Sequence, residues 1–496
     1  MLDLVIRGGK ILDGTGAPAR DGDVCIRGER IAYIGERHGE AAARIMDVDG
    51  LTIAPGFIDV HSHADGLLLS PKPDDSKVVQ GVTTEITGNC GFTIAPVNPT
   101  FRDLLISYGS AIMGDVDVTW TTFRQYLDAL EAAQPPINVA ALVGHGAVRT
   151  AAMGFEMRTA RPDELDTMRG YVAEAMEAGA LGLSTGLIYP PGTWANTDEV
   201  VELARVVKKY GGLYASHIRD EAKLLIEAMQ EAIHIGEAAG VPVQISHCKV
   251  SGSANWGQSA ALVRTIAEAR ARGLDVTGDQ YPYIAGSTGL RMLLPPWAHE
   301  GGVPETAQRL RSPEMRAKMR YDMEHGVGDW WNPSKNTTWN GILVASSARR
   351  PDIEGRSIEQ LAREADADPF ETLFDVLAET HCDVVMVIFL MSEDDVQAIM
   401  RDPNVMVGTD ALTVGSKPHP RAYGTYPRIL GKYVREERVL DLPEAIRKMT
   451  AMPAQKFGLK DRGVIREGAY ADLVVFDPQR VIDTATYENP IQYPTG

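Results

Sequence analysis

Short apolar runs alternate along most of the chain with longer stretches in which apolar residues recur at helical spacing among Ala, Glu and Arg. This alternation is typical of repeated βα units, which build a parallel sheet. The strand-like runs span residues 56–63, 81–90, 137–146, 180–187, 212–218, 241–249, 274–283 and 405–412. Because eight parallel strands close a TIM-like barrel, the pattern predicts an α/β protein with a (β/α)8 barrel.

Three other segments complicate this pattern. Residues 341–347 and 384–391 also look like strands. One of the eight segments assigned to the barrel could therefore be misassigned. Residues 284–345 carry a Pro-Pro-Trp sequence and further tryptophans, and they are too many for an ordinary βα loop. Either a lid-like insertion or a peripheral packing subdomain accounts for them. The clearest helix lies between the fifth and sixth strands, at residues 221–239.

The two ends of the chain show the period-two pattern of antiparallel strands. Alternating apolar and polar positions between Gly-rich turns occupy residues 3–7, 23–27, 31–35 and 471–477. We therefore predict that both termini join in one small β-sandwich domain. The predicted domains are 1–55 with 460–496 for the small domain and 56–459 for the barrel, with the insertion at about 284–345.

Composition narrows the class of protein. Of the 496 residues, 44% are hydrophobic and 23% charged, and no apolar run reaches the roughly 20 residues of a membrane helix. The N-terminus has no secretion-signal pattern and the four cysteines are widely spaced, so a reduced, cytoplasmic setting is predicted. A formal charge of −18 argues against nucleic acid or an anionic membrane as a partner. The oligomeric state is left open.

Metal-binding residue types stand where the predicted strands end, which is where barrel enzymes place their active sites. They are His61 and His63 at the end of the first strand, Cys90 at the end of the second, His217 of the fifth, His247 of the sixth and Asp410 of the eighth. His61 and His63 are two residues apart, so an extended chain directs both to one side. Imidazole, thiolate and carboxylate together suit zinc.

Each of these residues has an ordinary interpretation when it is taken alone. Cys90 is then a small buried hydrophobe, His217 or His247 a hydrogen-bonded barrel residue, and Asp410 a helix N-cap. Their joint placement at convergent strand ends favours a metal centre. A bound zinc lowers the pKa of its water from 15.7 to about 7, and a nearby carboxylate can then transfer the proton. The residues therefore indicate amide hydrolysis.

The chain resembles the metal-dependent amidohydrolase superfamily and, within it, the N-acyl-D-amino-acid deacylases (D-aminoacylases). The resemblance covers nearly the whole chain and rests on the segments GFIDVHSHAD, TEITGNCGF, GLSTGLIYPPG, SHIRDE, QISHCKVSG, YPYIAGST and PHPRAYGTYPRILG. It implies that Cys90, His217 and His247 hold a tightly bound zinc. It also implies a second, weaker site formed by His61, His63 and Asp410 with Cys90 as the bridge, and a catalytic acid/base role for Asp410.

The same resemblance implies the substrate and the residues that bind it. The substrate is expected to be an N-acyl-D-amino acid, and this stereochemical preference comes from the resemblance alone. Lys249, Tyr281, Ser287 and Arg421 are expected to hold it, with Arg421 binding the α-carboxylate through two hydrogen bonds. Tyr283 competes with Tyr281 for the tyrosine role, because the Tyr-Pro-Tyr spacing does not decide between them.

Two other functions remain as alternatives. A cyclic amidase of the hydantoinase or dihydroorotase kind is disfavoured because residues 181–186 contain no lysine, whereas many binuclear relatives bridge their metals with a carbamylated lysine on the fourth strand. Arg421 also suits a free α-carboxylate better than a closed ring. A non-catalytic barrel scaffold is disfavoured because every expected ligand is present.

Overall fold

The computed structural model describes residues 1–36, 41–70, 75–114 and 116–496. The chain termini form one six-stranded sheet whose strands are Leu2–Ile11, Arg20–Arg27, Arg30–Gly35, Ala42–Asp47, Thr52–Pro55 and Leu473–Phe476. Leu473–Phe476 pairs antiparallel with Thr52–Pro55, so the two ends of the chain share the sheet. Ile6, Val24 and Ile53 lie in an apolar cluster on this sheet. The exact limits predicted for the small domain and the barrel stay predictions.

Eight parallel strands form the main body. They are Phe57–Asp59, Val82–Thr87, Asn138–Ala141 continued by Val143–Gly144, Gly182–Gly186, Leu213–His217, Val243–Ile245, Val276–Gln280 and Val405–Val407. Consecutive strands pair in parallel, apart from the short break at Leu142, whose N–H donates to the Thr87 carbonyl. The ring closes where Ser62 bridges Ala411 beyond the first and eighth strands. The predicted barrel is therefore present.

Helices surround the strands. They are Arg102–Tyr108, Ser110–Met113, Phe123–Ala133, His145–Met153, Pro162–Ala178, Thr197–Lys208, Leu225–Ala239, Ser259–Ala271, Val303–Arg309, Pro313–His325, Ile358–Glu364, Pro369–Glu379, Glu393–Met400, Arg421–Arg428, the π-helix Ile429–Glu436, Leu442–Met449 and Ala451–Lys456. Met229 and Ile233 of the fifth-strand helix lie in one apolar cluster with Val243 of the next strand. Gly236 permits this contact, because a Cβ there would stand 2.0 Å from a Val243 methyl carbon.

The fifth-strand helix begins later than the sequence pattern predicts. The periodicity suggests a start at residue 221, but the helix begins at Leu225. The Asp220 carboxylate accepts hydrogen bonds from the backbone N–H groups of Ala222 and Leu224 and thereby holds a turn. Glu221 consequently lies outside the helix.

The segment between the seventh and eighth strands contains its own antiparallel sheet. Strands Ala285–Gly289 and Ile342–Ser346 pair on either side of Val385–Phe389. The two additional strand-like runs of the sequence belong to this sheet and not to the barrel, which resolves the excess in the strand count. Trp331 is buried there, in an apolar cluster that also contains barrel residues. In the described residues, no helix has the length and apolar character needed to cross a bilayer.

Candidate metal centre

The six predicted metal ligands lie together at the carboxyl ends of the barrel strands. Cys90 Sγ is 3.2 Å from His61 Nε2 and 3.4 Å from His247 Nε2, and His247 Nε2 is 2.8 Å from His217 Nδ1. His63 Nε2 lies 3.1 Å from an Asp410 carboxylate oxygen. All are buried. The prediction that residues scattered through the sequence meet at one site agrees with this geometry.

Overlapping sets of donor atoms in this cluster are spaced closely enough to hold an ion. His61, Cys90 and His247 form one set, and His61, His63 and Asp410 form another, with the donor atoms of each set within 4.8 Å of one another. Nitrogen and thiolate donors at this spacing suit zinc, and carboxylate oxygen completes the second set. A third set joins His217 and His247 to the Glu221 carboxylate. The residues present therefore fit a metal ion.

Three of the predicted ligands have an unusual backbone conformation. Cys90, His247 and Asp410 have φ angles of 55°, 37° and 51°, in the left-handed region that residues other than glycine rarely adopt. Such a conformation costs on the order of 1–3 kcal/mol per residue and is concentrated at functional sites. Each of the three directly follows a barrel strand or lies a few residues beyond it. The left-handed turn directs their side chains into the common cluster.

Neighbouring charges favour the ionised forms of the sulfur and carboxylate ligands. Burial opposes ionisation of the Cys90 thiol, but the positive charges of His61 and His247 hold its pKa well below the usual range. Burial likewise opposes ionisation of Asp410, but the charges of Arg421 and His61 keep its pKa well below normal. A thiolate and a carboxylate are the forms that bind metal ions.

Two buried carboxylates that were not predicted as site residues contact the histidine nitrogens that face away from Cys90. Asp279 Oδ1 lies 3.1 Å from His61 Nδ1 and accepts a hydrogen bond from the backbone N–H of His247. Glu221 Oε1 lies 3.2 Å from His247 Nδ1. Asp279 is the last residue but one of the seventh strand, whereas the run predicted at 274–283 placed it in the strand interior. Glu221 was obscured because the periodicity assigned it to a helix.

The predicted substrate residues divide into two groups. The guanidinium carbon of Arg421 lies 4.4 Å from the centre of the Tyr281 ring, and the ammonium nitrogen of Lys249 lies 5.7 Å from it. The backbone carbonyl of Ser287 accepts a 3.4 Å hydrogen bond from Arg421. The Tyr283 ring instead packs 4.7 Å from the guanidinium of Arg428. The Tyr281 ring therefore faces both predicted binding cations, whereas the cation against the Tyr283 ring is Arg428.

Burial and neighbouring charges shift the pKa values of Lys249 and Tyr281 in this group. Burial lowers the pKa of Lys249, but the Glu221 carboxylate 2.6 Å away raises it above its ordinary value. Burial raises the pKa of Tyr281 to about 12, so its hydroxyl stays protonated near neutral pH. Arg421 is 0% exposed. The group therefore contains two cations, each paired with a buried carboxylate, and a protonated hydroxyl.

A cavity opens onto the cluster. His63, Cys90 and Asp410 form part of its wall, and Phe92, Tyr108, Tyr189, Ser287, Arg291, Met292 and Val385 form other parts. Ser287, Arg291 and Met292 come from the segment between the seventh and eighth strands. This segment thus both packs on the barrel and lines the cavity, and its lid-like character stays a prediction.

His145, another histidine at a strand end, takes part in a separate buried network. Its Nε2 lies 2.9 Å from Glu199 Oε1, and Arg149 also donates to that carboxylate. The hydrogen bond to His145 and the charges of His145 and Arg149 overcome burial and lower the pKa of Glu199 to about 2. These contacts agree with a structural role for His145.

Comparison with known proteins relates this centre to a family. A model of the amidohydrolase family matches residues 44–319 and 327–492. The D-aminoacylase of Alcaligenes xylosoxydans xylosoxydans is 39% identical over 501 residues, covering 100% of this chain and 92% of the relative.

Two solved structures are similar over the full chain. One is N-acyl-D-glutamate deacylase from Bordetella bronchiseptica in complex with zinc and a phosphonate mimic of the tetrahedral intermediate, with a TM-score of 0.85, 37% identity and coverage of 100% of this chain and 94% of that one. The other is D-aminoacylase, whose binuclear metal centre is activated by one metal and attenuated by a second, with a TM-score of 0.83, 38% identity and the same coverage. The chain belongs to the amidohydrolase family, in its group of N-acyl-D-amino-acid deacylases.

Proposed function

We propose that this protein is a zinc-dependent hydrolase that cleaves the amide bond of N-acyl-D-amino acids, releasing a carboxylate and the free D-amino acid. One observation carries the proposal: His63, Cys90 and Asp410 of the donor cluster line one cavity, and Asp410 is ion-paired with the buried Arg421. A hydrolytic centre and a carboxylate-binding cation are thereby within reach of one small substrate.

Cys90, His217 and His247 would hold the tightly bound zinc. A thiolate ligand favours zinc over magnesium or manganese, and the lowered pKa of Cys90 supplies that thiolate. Zinc bound there would supply an acidified water and a Lewis acid for the amide carbonyl. His61, His63 and Asp410, with Cys90 as the bridge, would form the second and weaker site. The fourth strand, Gly182–Gly186, carries no lysine, so the sulfur replaces the carbamylated lysine of other relatives.

Asp410 would act as the acid and base of the reaction. Its low pKa keeps it ionised, the form that accepts a proton; it would take the proton of the attacking water and deliver it to the amide nitrogen as the C–N bond breaks. The contact with His63 at 3.1 Å and the ion pair with Arg421 hold the carboxylate on opposite sides. General acid and base catalysis of this kind contributes about 10²- to 10⁴-fold.

The α-carboxylate of the substrate would bind between Arg421, Lys249 and Tyr281, beside Ser287. The contacts of Tyr281 with both cations favour it over Tyr283 for this role. The preference for D-configured substrates follows from the similarity to the D-aminoacylase and the N-acyl-D-glutamate deacylase described above. A cytoplasmic location, and a small-molecule substrate in place of nucleic acid or membrane, remain part of this proposal.

The two alternatives make different demands on the site. A hydantoinase-like cyclic amidase has no free α-carboxylate for Arg421 to bind, and the fourth strand lacks its lysine. A non-catalytic scaffold would not require three ligand residues to keep left-handed backbones. Neither alternative accounts for the buried cations beside the donor cluster.

The decisive experiment is a substrate panel. Purified, zinc-loaded protein would be assayed against matched N-acetyl-D- and N-acetyl-L-amino acids and against hydantoins, with release of free amine or ring opening as the readout. We expect hydrolysis of the D series only. Preference for the L series or for hydantoins would refute the proposed function, and inactivity on all three with zinc bound would favour the scaffold.

A further inference from the structure

We infer that Glu221 is a positioning residue that orients both histidines of the tight zinc site and at the same time restrains Lys249. The inference rests on the proposed function, in that Cys90, His217 and His247 are taken to hold the zinc. The side chain of Glu221 is 6% exposed and has no role in the sequence-based assignment of the site.

The two histidines present one ring nitrogen to the donor cluster and the other to Glu221. His247 Nε2 faces Cys90 Sγ at 3.4 Å and His217 Nδ1 at 2.8 Å. The opposite nitrogens, His247 Nδ1 and His217 Nε2, lie 3.2 Å and 3.6 Å from the same oxygen, Glu221 Oε1. A single carboxylate oxygen therefore lies behind both rings.

Metal binding sets the protonation that these rings require. A neutral histidine that binds a metal through one nitrogen carries its proton on the other, and that N–H needs an acceptor. His217 Nε2 is buried and makes no hydrogen bond to any part of the chain described here. Glu221 Oε1 lies 3.6 Å from it and is the acceptor that we assign to it. The same oxygen serves His247 Nδ1.

Lys249 is a second reason why the His247 tautomer depends on the Glu221 carboxylate. Its ammonium nitrogen lies 2.7 Å from His247 Nδ1 and 2.6 Å from Glu221 Oε1. An ammonium group can only donate hydrogen bonds, so Lys249 favours an unprotonated His247 Nδ1 that accepts one. The tautomer that binds a metal through Nε2 needs the opposite, a protonated Nδ1. Glu221 offers Lys249 an alternative acceptor, leaving Nδ1 able to carry its proton.

The local backbone fixes the position of Glu221. The turn capped by Asp220 keeps residue 221 out of the following helix, and the Glu221 carbonyl accepts a 2.7 Å hydrogen bond from the N–H of Ser251. Ser251 lies just beyond Lys249 at the end of the sixth strand. These bonds hold the backbone of Glu221 between the segments that follow the fifth and sixth strands, close to the two histidines.

The test measures zinc affinity by titrating the zinc-loaded protein with a chelator, in the absence of substrate. Glu221→Gln should weaken zinc binding by about 10- to 100-fold, as is typical when a carboxylate behind a metal-binding histidine is lost. Glu237→Gln, an exposed change on the following helix, should leave affinity unchanged. Lys249→Gln should leave zinc affinity within about twofold or raise it, because the acceptor for the histidines remains.

Several outcomes would overturn the inference. Zinc affinity of Glu221→Gln within about twofold of the wild type would do so, as would equal losses in Glu221→Gln and Lys249→Gln, because the ion pair alone would then explain the effect. X-ray absorption showing that Glu221→Gln removes an oxygen ligand from the zinc would make Glu221 a ligand instead. If Glu221→Gln does not fold, Glu221→Asp decides, because its shorter side chain keeps the charge and should still lose affinity. Absence of zinc from the wild type would refute the proposed function itself.

Discussion

Arg421 Nη1 lies 2.8 Å from Asp410 Oδ2, so the proposed carboxylate-binding cation and the proposed acid/base form one buried ion pair. The contact lacks hydrogen-bond geometry, and within the described residues neither Nη1 nor Nε of Arg421 makes a hydrogen bond. Buried N–H donors without acceptors are costly. The pair holds Asp410 ionised, and a substrate carboxylate would supply the acceptor that Nε lacks.

Replacing Arg421 with lysine tests carboxylate recognition. We expect Arg421→Lys to lower kcat/KM for N-acetyl-D-amino acids by about 10- to 100-fold, because a point charge cannot reproduce a planar two-bond contact worth about 1.5–3 kcal/mol. The matched control is the corresponding amino-acid amide, which lacks the carboxylate and should lose much less. Equal losses on the acid and the amide would remove carboxylate binding from Arg421.

Asp410→Asn separates catalysis from metal binding. The variant should keep the tightly bound zinc, since Cys90, His217 and His247 are unchanged, and should lose about 10²- to 10⁴-fold in kcat. Zinc content and steady-state kinetics measured on one preparation check both parts. Asp394→Asn, an exposed change on a nearby helix, is the control and should behave as the wild type. Turnover near the wild-type level in Asp410→Asn would exclude the acid/base role.

The two tyrosines of the Tyr-Pro-Tyr segment offer a matched pair of variants. Tyr281→Phe should raise KM by about tenfold, the effect of losing one hydrogen bond to a charged group. Tyr283→Phe should leave KM unchanged, because its ring packs against Arg428 and not against Lys249 and Arg421. The reverse pattern would assign the role to Tyr283.

The network around Glu199 predicts that part of the free energy of unfolding is lost at acid pH. The pKa of Glu199 is lowered to about 2 in the folded protein, against 4.5 for an ordinary glutamate. A pKa that is lower in the folded state stabilises the fold at every pH above the pKa of the unfolded state. About 3 kcal/mol of the free energy of unfolding at neutral pH should therefore be lost as pH falls from 4.5 towards 2.

Urea unfolding of the metal-free protein between pH 3 and 7 measures this term. Glu199→Gln should be less stable at pH 7 and should show a flatter fall in the free energy of unfolding below pH 5 than the wild type. Glu237→Gln serves as the exposed control and should follow the wild-type curve. Parallel curves for Glu199→Gln and the wild type would contradict the assignment.

Much of the site could be read from strand ends, for a geometric reason. The carboxyl ends of parallel barrel strands converge, so residues as distant in sequence as His61 and Asp410 could be placed together before any coordinates were known. The barrel strands themselves follow from short apolar runs. The same reasoning identified Cys90, His217 and His247 as neighbours.

Other features depend on information that periodicity does not carry. The runs at 341–347 and 384–391 have the apolar content of barrel strands, and only their antiparallel pairing with Ala285–Gly289 separates them from the barrel. Glu221 continues the helical pattern, but the side chain of Asp220 caps a turn that removes it from the helix. The choice between Tyr281 and Tyr283 required the positions of Arg421 and Arg428. These are tertiary contacts that no local pattern encodes.

Zinc content is the most direct test of the central claim that Cys90, His217 and His247 bind one ion. Elemental analysis of the purified protein should find about one tightly bound zinc per chain that survives dialysis, and Cys90→Ala should lose it while remaining folded. Absence of any transition metal from the wild type, or full zinc retention in Cys90→Ala, would contradict the account.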